Sequence, residues 1–82
     1  MAPATTEEVL RRLEEGGYRV TASRRRLLDA LMVRGEGFTA EELVARVPEV
    51  GRATVYRTLR LLVEQGVVCK LALQDGTPRY TL

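Results

Sequence analysis

The spacing of the apolar residues changes at Gly66, and this change limits the folds that the chain can adopt. Before Gly66 the apolar residues recur at intervals of three and four, which is typical of helices that bury one face. After it, residues 67–73 begin β-branched and then alternate, residues 74–77 form a turn signal, and residues 78–82 can pair back. The sequence therefore predicts helices followed by one hairpin over residues 67–82.

Capping residues divide the part before Gly66 into four helices. Thr5 and Thr39 each stand three residues before a glutamate, which is the capping-box spacing, and Thr21 is the expected cap of the second helix. The fourth helix is predicted over residues 51–66. Glycines and a proline are the expected stops of the other three helices, namely Gly16-Gly17, residues 35–37 and Pro48.

The fourth helix has two faces of different chemistry. When the helix is projected at about 100° per residue, one side carries the apolar residues Val55, Leu59, Leu62 and Val63. The opposite side carries Ala53, Arg57, Arg60 and Glu64, with Tyr56 at its margin. We expect the first side to be buried and the second side to face outward.

The residue types on the outward side suit the major groove of DNA. An arginine such as Arg57 can donate two parallel hydrogen bonds to guanine, or it can hold a phosphate. The ring of Tyr56 can pack on thymine methyl groups, and Ala53 leaves room for the helix to approach the bases. Thr54 is placed to contact a phosphate, and Gly51 leaves backbone N–H groups open to an anion. The alternative is a solvated face that binds nothing.

The third and fourth helices, residues 39–66, form a short helix-turn-helix with a hairpin directly after it. That order is the winged helix arrangement, in which the second helix of the pair enters the major groove and the hairpin flanks it. We therefore predict one mainly α-helical domain over residues 1–82, a winged helix-turn-helix of order α1-α2-α3-α4-β1-β2. The hairpin would contribute the basic candidates Lys70 and Arg79.

Positive charge is concentrated in the last third of the chain. Residues 1–50 carry eight arginines and nine acidic residues, whereas residues 51–82 carry four arginines, one lysine and two acidic residues. This distribution is typical of a nucleic-acid-binding face. Arg24, Arg25 and Arg26 lie in the first turn of the second helix, where the helix dipole disfavours cations. This placement suggests an external anion such as phosphate, and the alternative is that the three side chains extend into water.

The side-chain inventory argues against other functions. With one cysteine and no histidine, the chain cannot build a disulfide, a tetrahedral zinc site or a Cys–His pair, so we expect no catalytic residue and no metal ligand. Cys69 is expected to pack against the core rather than to act as a redox sensor.

A protein-interaction module is the alternative function. It would need exposed apolar surface, for which Tyr56 and Leu61 are the candidates. A single cysteine that forms no internal disulfide fits a reducing, cytoplasmic location. The first residues lack the apolar core of a signal peptide, and no apolar run has membrane-spanning length.

Four pieces of the sequence carry a family resemblance. They are residues 17–24 (GYRVTASR), 39–43 (TAEEL), 53–59 (ATVYRTL) and 66–68 (GVV). Together with the spacings between them, they resemble the N-terminal domain of the ferric uptake regulator family over nearly the whole chain. The resemblance implies a metal-responsive transcriptional repressor that binds double-stranded DNA at AT-rich palindromic operators as a homodimer.

The resemblance also implies roles for individual residues. In the family, the residues that match Tyr56 and Arg57 contact bases and backbone. The residue that matches Arg19 enters the minor groove, and the residue that matches Arg24 holds phosphate. With the outward residues of the fourth helix added, the predicted DNA-binding set is Arg19, Arg24, Ala53, Thr54, Tyr56, Arg57 and Arg60.

Family members continue into a C-terminal dimerisation domain that holds most of the metal ligands. This chain ends at Leu82, where that domain would begin, so we expect it to be the DNA-binding half, without a cofactor of its own and monomeric by itself. A divalent metal (iron, zinc or manganese) is expected in the C-terminal half of the parent protein. Many members place a metal-binding histidine just ahead of the third helix, where this chain has residues 36–38 (EGF).

Overall fold

The computed structural model describes residues 5–34, 37–71 and 76–82. Four helices are followed by two short antiparallel strands, which confirms the predicted order of elements. The elements are α1 (Thr6–Glu15), α2 (Ala22–Arg34), α3 (Ala40–Arg46), α4 (Arg52–Glu64), β1 (Cys69–Leu71) and β2 (Arg79–Thr81). Within the described residues, none of these helices has the length and apolar character needed to cross a bilayer.

The predicted helix caps are present. The side-chain oxygens of Thr5 and Thr21 each accept a hydrogen bond from the backbone N–H three residues ahead, at 3.1 Å. Thr39 and Glu42 form the full capping box, because each side chain accepts the backbone N–H of the other residue, at 3.1 and 2.7 Å. These bonds satisfy N–H groups that the first turn of a helix leaves unpaired, so the starts of α1, α2 and α3 are set by local sequence.

The fourth helix and the strands are shorter than predicted. Gly51 is the N-cap of α4 and makes no side-chain capping bond, and the helix ends at Glu64 instead of Gly66. The backbone of Gly66 has a φ of 74°, the left-handed region that ends a helix. Residues 67 and 68 are buried ahead of β1 rather than paired in it. Residues 72–75, which include the first half of the predicted turn, lie outside the described residues.

The core lies between the helices and is built mainly from leucine and valine, with Phe38 as its largest fully buried side chain. α1 packs on α2, α3 packs on α4, and α2 contacts both α3 and α4. Phe38 also joins the hairpin to the helices. Its backbone pairs with that of Tyr80 through hydrogen bonds of 2.7 and 3.1 Å, and the two rings stack with centroids 5.9 Å apart. The hairpin is therefore held at the start of α3.

Two expectations about burial are wrong. Cys69 is exposed, because the chain is anchored in the core by Val67 and Val68 and all three residues of β1 then lie at the surface. Leu61 is only 7% exposed, since it lies on the buried side of α4 next to Leu62. The thiol is thus outside the core, and Leu61 supplies no apolar surface.

Two of the three consecutive arginines of α2 bind carboxylates of the protein itself. Arg25 donates two hydrogen bonds to Glu7 on α1, and Arg26 Nε donates to Glu49 Oε2 at 2.7 Å. The expectation that these side chains hold an external anion or extend freely into water is therefore wrong for Arg25 and Arg26. Arg24 has a different position, described below.

Acid is expected to weaken the fold through these ion pairs. The hydrogen bond from Arg25 lowers the pKa of Glu7 below its usual 4.5, and a bond from its own backbone, followed by one from Arg26, lowers the pKa of Glu49. Folding therefore favours the charged carboxylates, and this stability is present above about pH 4.5 and lost as the pH falls through the lowered values. Because the pairs are exposed, the fall in Tm should be modest.

The measurement is thermal unfolding by circular dichroism across a pH series. The chain has no histidine, so we expect a level Tm between about pH 5.5 and 8 and a fall below about pH 4.5. A double variant, Glu7→Gln with Glu49→Gln, should lose less stability on acidification than the wild type. An equal loss in both proteins would contradict this explanation.

Candidate nucleic-acid interface

α4 turns its apolar side to the core and its basic side outward. Val55, Leu59 and Leu62 are at most 1% exposed, as predicted, and Val63 is half-buried. We define the outer face of α4 as the residues predicted to face outward, namely Ala53, Tyr56, Arg57, Arg60 and Glu64, all of which are exposed. The helical projection is therefore confirmed, since the residues expected to face outward do so.

Two surface hollows flank α4 and share one residue, Arg57. The first, which we call the α2 hollow, has a volume of about 340 Å³ and lies between α4 and the start of α2. The second, the hairpin hollow, has a volume of about 610 Å³ and lies between α4 and the strands. Arg57 thus lies between the two hollows and is the residue common to both.

The α2 hollow combines arginines with hydroxyl groups. Arg19, Arg24 and Arg57 line it, together with the hydroxyl-bearing side chains of Thr21, Ser23, Thr54 and Thr58. Among the lining residues that the structure describes there is no carboxylate. Arg24 Nη1 donates a 2.8 Å hydrogen bond to the backbone oxygen of Arg19, which holds the guanidinium at this site. Such a set of donors suits a phosphate.

The hairpin hollow is lined by the outer face of α4, including the carboxylate of Glu64, and by residues of the hairpin. Lys70 on β1 and Tyr80 on β2 are among its lining residues. Arg57 Nε makes a long 3.4 Å contact with the backbone oxygen of Ala53, so its side chain runs back along the helix. A contact of that length is weak, which leaves the guanidinium available for a stronger acceptor.

Arg79 and Lys70, the basic candidates of the hairpin, have different surroundings. Arg79 Nη1 donates a 2.9 Å hydrogen bond to the backbone oxygen of Gly37 and lies 3.9 Å from a carboxylate oxygen of Glu42. Its guanidinium thus joins β2 to the start of α3. Lys70 is exposed and faces the hairpin hollow, so it is the hairpin cation that is placed for an external anion.

Glu41 on α3 makes a contact that the sequence did not predict. Its Oε2 atom accepts a 2.6 Å hydrogen bond from the hydroxyl of Tyr56 and another from the guanidinium of Arg52. The bond from Arg52, followed by that from Tyr56, lowers the pKa of Glu41, and the same carboxylate raises the pKa of Tyr56. Arg52 and Tyr56 are four residues apart, so they lie one turn apart on α4. Glu41 precedes Arg52 by 11 residues and Tyr56 by 15, and no local sequence pattern predicts that it contacts them.

The structure brings the seven sequence-predicted residues together around α4. Three of them (Arg19, Arg24 and Thr54) line the α2 hollow, three (Ala53, Tyr56 and Arg60) line the hairpin hollow, and Arg57 lines both. The residues that the sequence did not single out are Ser23 and Thr58 in the α2 hollow and Glu41 and Arg52 beside Tyr56.

Comparison with known proteins finds sequence similarity to the ferric uptake regulator family and to individual metal- and peroxide-responsive regulators. Residues 15–82 match the model of the ferric uptake regulator family. The ferric uptake regulation protein of Bacillus subtilis is 37% identical over 81 residues, which cover 93% of this chain and 54% of that protein. The peroxide operon regulator of the same organism is 33% identical over 84 residues, which cover 98% of this chain and 58% of that protein.

Solved structures of this kind share the fold. The structure of PerR from Streptococcus pyogenes, reported as a basis for peroxide sensing and gene regulation, has a TM-score of 0.81 at 28% identity. The match covers 100% of this chain and 59% of the PerR chain. The ferric uptake regulator of Vibrio cholerae has a TM-score of 0.75 at 29% identity and covers 85% of this chain. These likenesses confirm the predicted winged helix. The chain spans about half the length of the curated relatives it matches.

Proposed function

Because the chain belongs to the ferric uptake regulator family, we propose that it is the DNA-binding domain of a metal-responsive transcriptional regulator. α4 enters the major groove by its outer face, and the hairpin is the wing beside it. One observation carries the proposal: the residues selected from the sequence for DNA binding all line the two hollows that meet at Arg57.

Base contacts come from the outer face of α4. Arg57 donates to guanine O6 and N7, and its weak contact with Ala53 is released when it does so. The ring of Tyr56, which is 44% exposed, packs on a thymine methyl group. Ala53 has a side chain small enough to let the first half of the helix approach the base edges.

Backbone contacts come from the α2 hollow and from the rim of the hairpin hollow. Arg24 and Thr54 hold a phosphate in the α2 hollow, and Arg19 at its edge extends toward the minor groove. Arg60 and Lys70 bind phosphate on the other side of the helix. Cations on both sides of α4 fix its register on the duplex, while the residues between them read the sequence.

The parent protein would act as a homodimer on an AT-rich palindromic operator, in the cytoplasm. Its iron, zinc or manganese would be held in the C-terminal half, in keeping with the names of the relatives, which include a zinc-bound manganese uptake regulator. The described residues of this chain hold no group of three or more His, Cys, Asp or Glu side chains suited to a metal ion.

A protein-interaction module is less well supported than DNA binding. Such a module needs an apolar patch on its contact surface. Leu61 is buried, and the outer face of α4 offers Tyr56 beside two arginines. Charged groups on both sides of a single aromatic ring fit a duplex better than they fit an apolar partner.

The proposal is tested by selecting bound duplexes from a randomised library with the 82-residue chain at low salt. A single domain lacks the avidity of a dimer, so binding should be weak, but one half-site sequence should be enriched. The matched control is the double variant Tyr56→Ala with Arg57→Ala, which should bind duplexes and enrich none. A folded wild-type chain that enriches no sequence would refute the proposal.

A further inference from the structure

The carboxylate of Glu41 lies beside the start of α4, close to the face that we propose binds DNA, and it engages two donors of that helix. Its side chain is 57% exposed, and that of its partner Arg52 is 61% exposed. Both donors to Glu41 lie on the first turns of α4, and one of them, Tyr56, belongs to the outer face. Glu41 itself stands in the first turn of α3, which the capping box of Thr39 holds in place. The cluster is thus accessible and its carboxylate is well positioned.

Stability of the fold does not account for this arrangement. An exposed ion pair contributes little to folding, because water screens the charges and the side chains lose freedom when they pair. Close to a duplex, by contrast, a carboxylate has a large effect on the affinity for DNA. Each cation that neutralises a phosphate strengthens binding to DNA of any sequence, and a carboxylate paired with that cation cancels this contribution. By neutralising Arg52, Glu41 removes one such cation from the surface.

The second donor to Glu41 is the hydroxyl of Tyr56. A free phenol can donate to any phosphate, which carries no sequence information. Here the hydroxyl is held by Glu41 at 2.6 Å, while the same residue lines the hairpin hollow. The hydrogen bond therefore fixes the direction of the ring and leaves its apolar faces for contact with bases.

We propose that Glu41 is a specificity-determining positioning residue of the DNA-binding face. It keeps the Tyr56 hydroxyl and the Arg52 guanidinium from binding phosphates, so that Tyr56 presents its ring to the bases and binding to unrelated sequences is reduced. This inference rests on the proposed function, because it concerns how the same face discriminates between duplexes. The higher pKa of Tyr56 that the contact causes is consistent with it.

The test compares Glu41→Gln and Glu41→Ala with the wild type on two probes over a range of salt. The probes are a duplex selected by the wild-type chain and a scrambled duplex of the same base composition. Glu41→Gln frees Arg52 but retains an oxygen that accepts the Tyr56 hydroxyl. We expect the salt dependence of binding to the scrambled duplex to steepen by about 0.9 in log–log slope, as for one added phosphate contact. The selected-to-scrambled affinity ratio should fall roughly three- to tenfold.

Glu41→Ala removes the acceptor as well as the charge. It should show the same steeper slope and should also lose about tenfold in preference at one base pair, a loss that Glu41→Gln avoids. A readout without DNA is the pKa of the Tyr56 phenol followed by NMR, which should fall in Glu41→Ala. Tyr56→Phe retains the ring and the Glu41–Arg52 pair, so its salt slope should equal that of the wild type.

The matched control is Glu14→Gln, which changes the net charge equally in a different surface hollow lined by Glu7 and Arg11. If both Glu41 variants retain the wild-type slope and affinity ratio, or change no more than the Glu14 control, the inference is overturned. Failure of the proposed function has a different signature, because the wild type itself would then show no preference for any selected duplex.

Discussion

Replacing Phe38 by alanine is expected to lower the free energy of unfolding by about 3–5 kcal/mol. The side chain is 0% exposed and is among the largest fully buried side chains. Its removal leaves a cavity between α3 and the hairpin and abolishes the stacking on Tyr80. A domain this small is expected near the low end of the usual range, about 5 kcal/mol, so the variant should be partly unfolded at room temperature.

Urea unfolding followed by circular dichroism measures this effect. The matched control is Val33→Ala, since Val33 is 77% exposed on α2 and its truncation should change stability by less than about 0.5 kcal/mol. A loss below about 1 kcal/mol in Phe38→Ala would show that Phe38 does not hold the hairpin against the helices.

Replacing Arg57 by alanine should weaken binding to a selected duplex by roughly 5- to 150-fold, which corresponds to about 1–3 kcal/mol. Arg57 stands between the two hollows, and its contact with the Ala53 carbonyl is too long to constrain it. If it reads a guanine, the loss should be confined to duplexes that carry this base. The measurement is equilibrium binding to the selected duplex and to single-base variants of it.

Arg24→Ala is the matched comparison, because it also removes an arginine side chain, but one that is expected to contact phosphate in the α2 hollow. It should weaken binding to all sequences alike and reduce the salt slope by about one unit, as expected for a phosphate contact. If the two variants lose affinity uniformly across sequences, Arg57 also contacts phosphate and does not read a base.

Local sequence determined the features of the fold that were predicted well. The caps at Thr5, Thr21 and Thr39 depend on side chains within three residues of the N–H groups they satisfy. The two faces of α4 follow from the helical repeat, which requires no knowledge of the rest of the chain. The order of elements and the outward position of Tyr56 and Arg57 could therefore be predicted.

Contacts between distant segments could not be predicted in this way. Arg25 and Arg26 have carboxylate partners on α1 and before α4, 18 and 23 residues away, and Glu41 contacts α4 across the turn between helices. The exposure of Cys69 depends on where the chain leaves the core after Val68, which alternation alone does not reveal. Each of these features depends on how the helices pack rather than on local spacing.

The most direct measurement of the central claim is a map of backbone amide NMR shifts as the isotope-labelled chain is titrated with its selected duplex. The outer face of α4 should show the largest changes, and Arg19, Arg24 and Lys70 should also respond. Changes that concentrate on α1 while the amides of α4 stay unperturbed would mean that the duplex binds elsewhere and that α4 is not the helix in the groove.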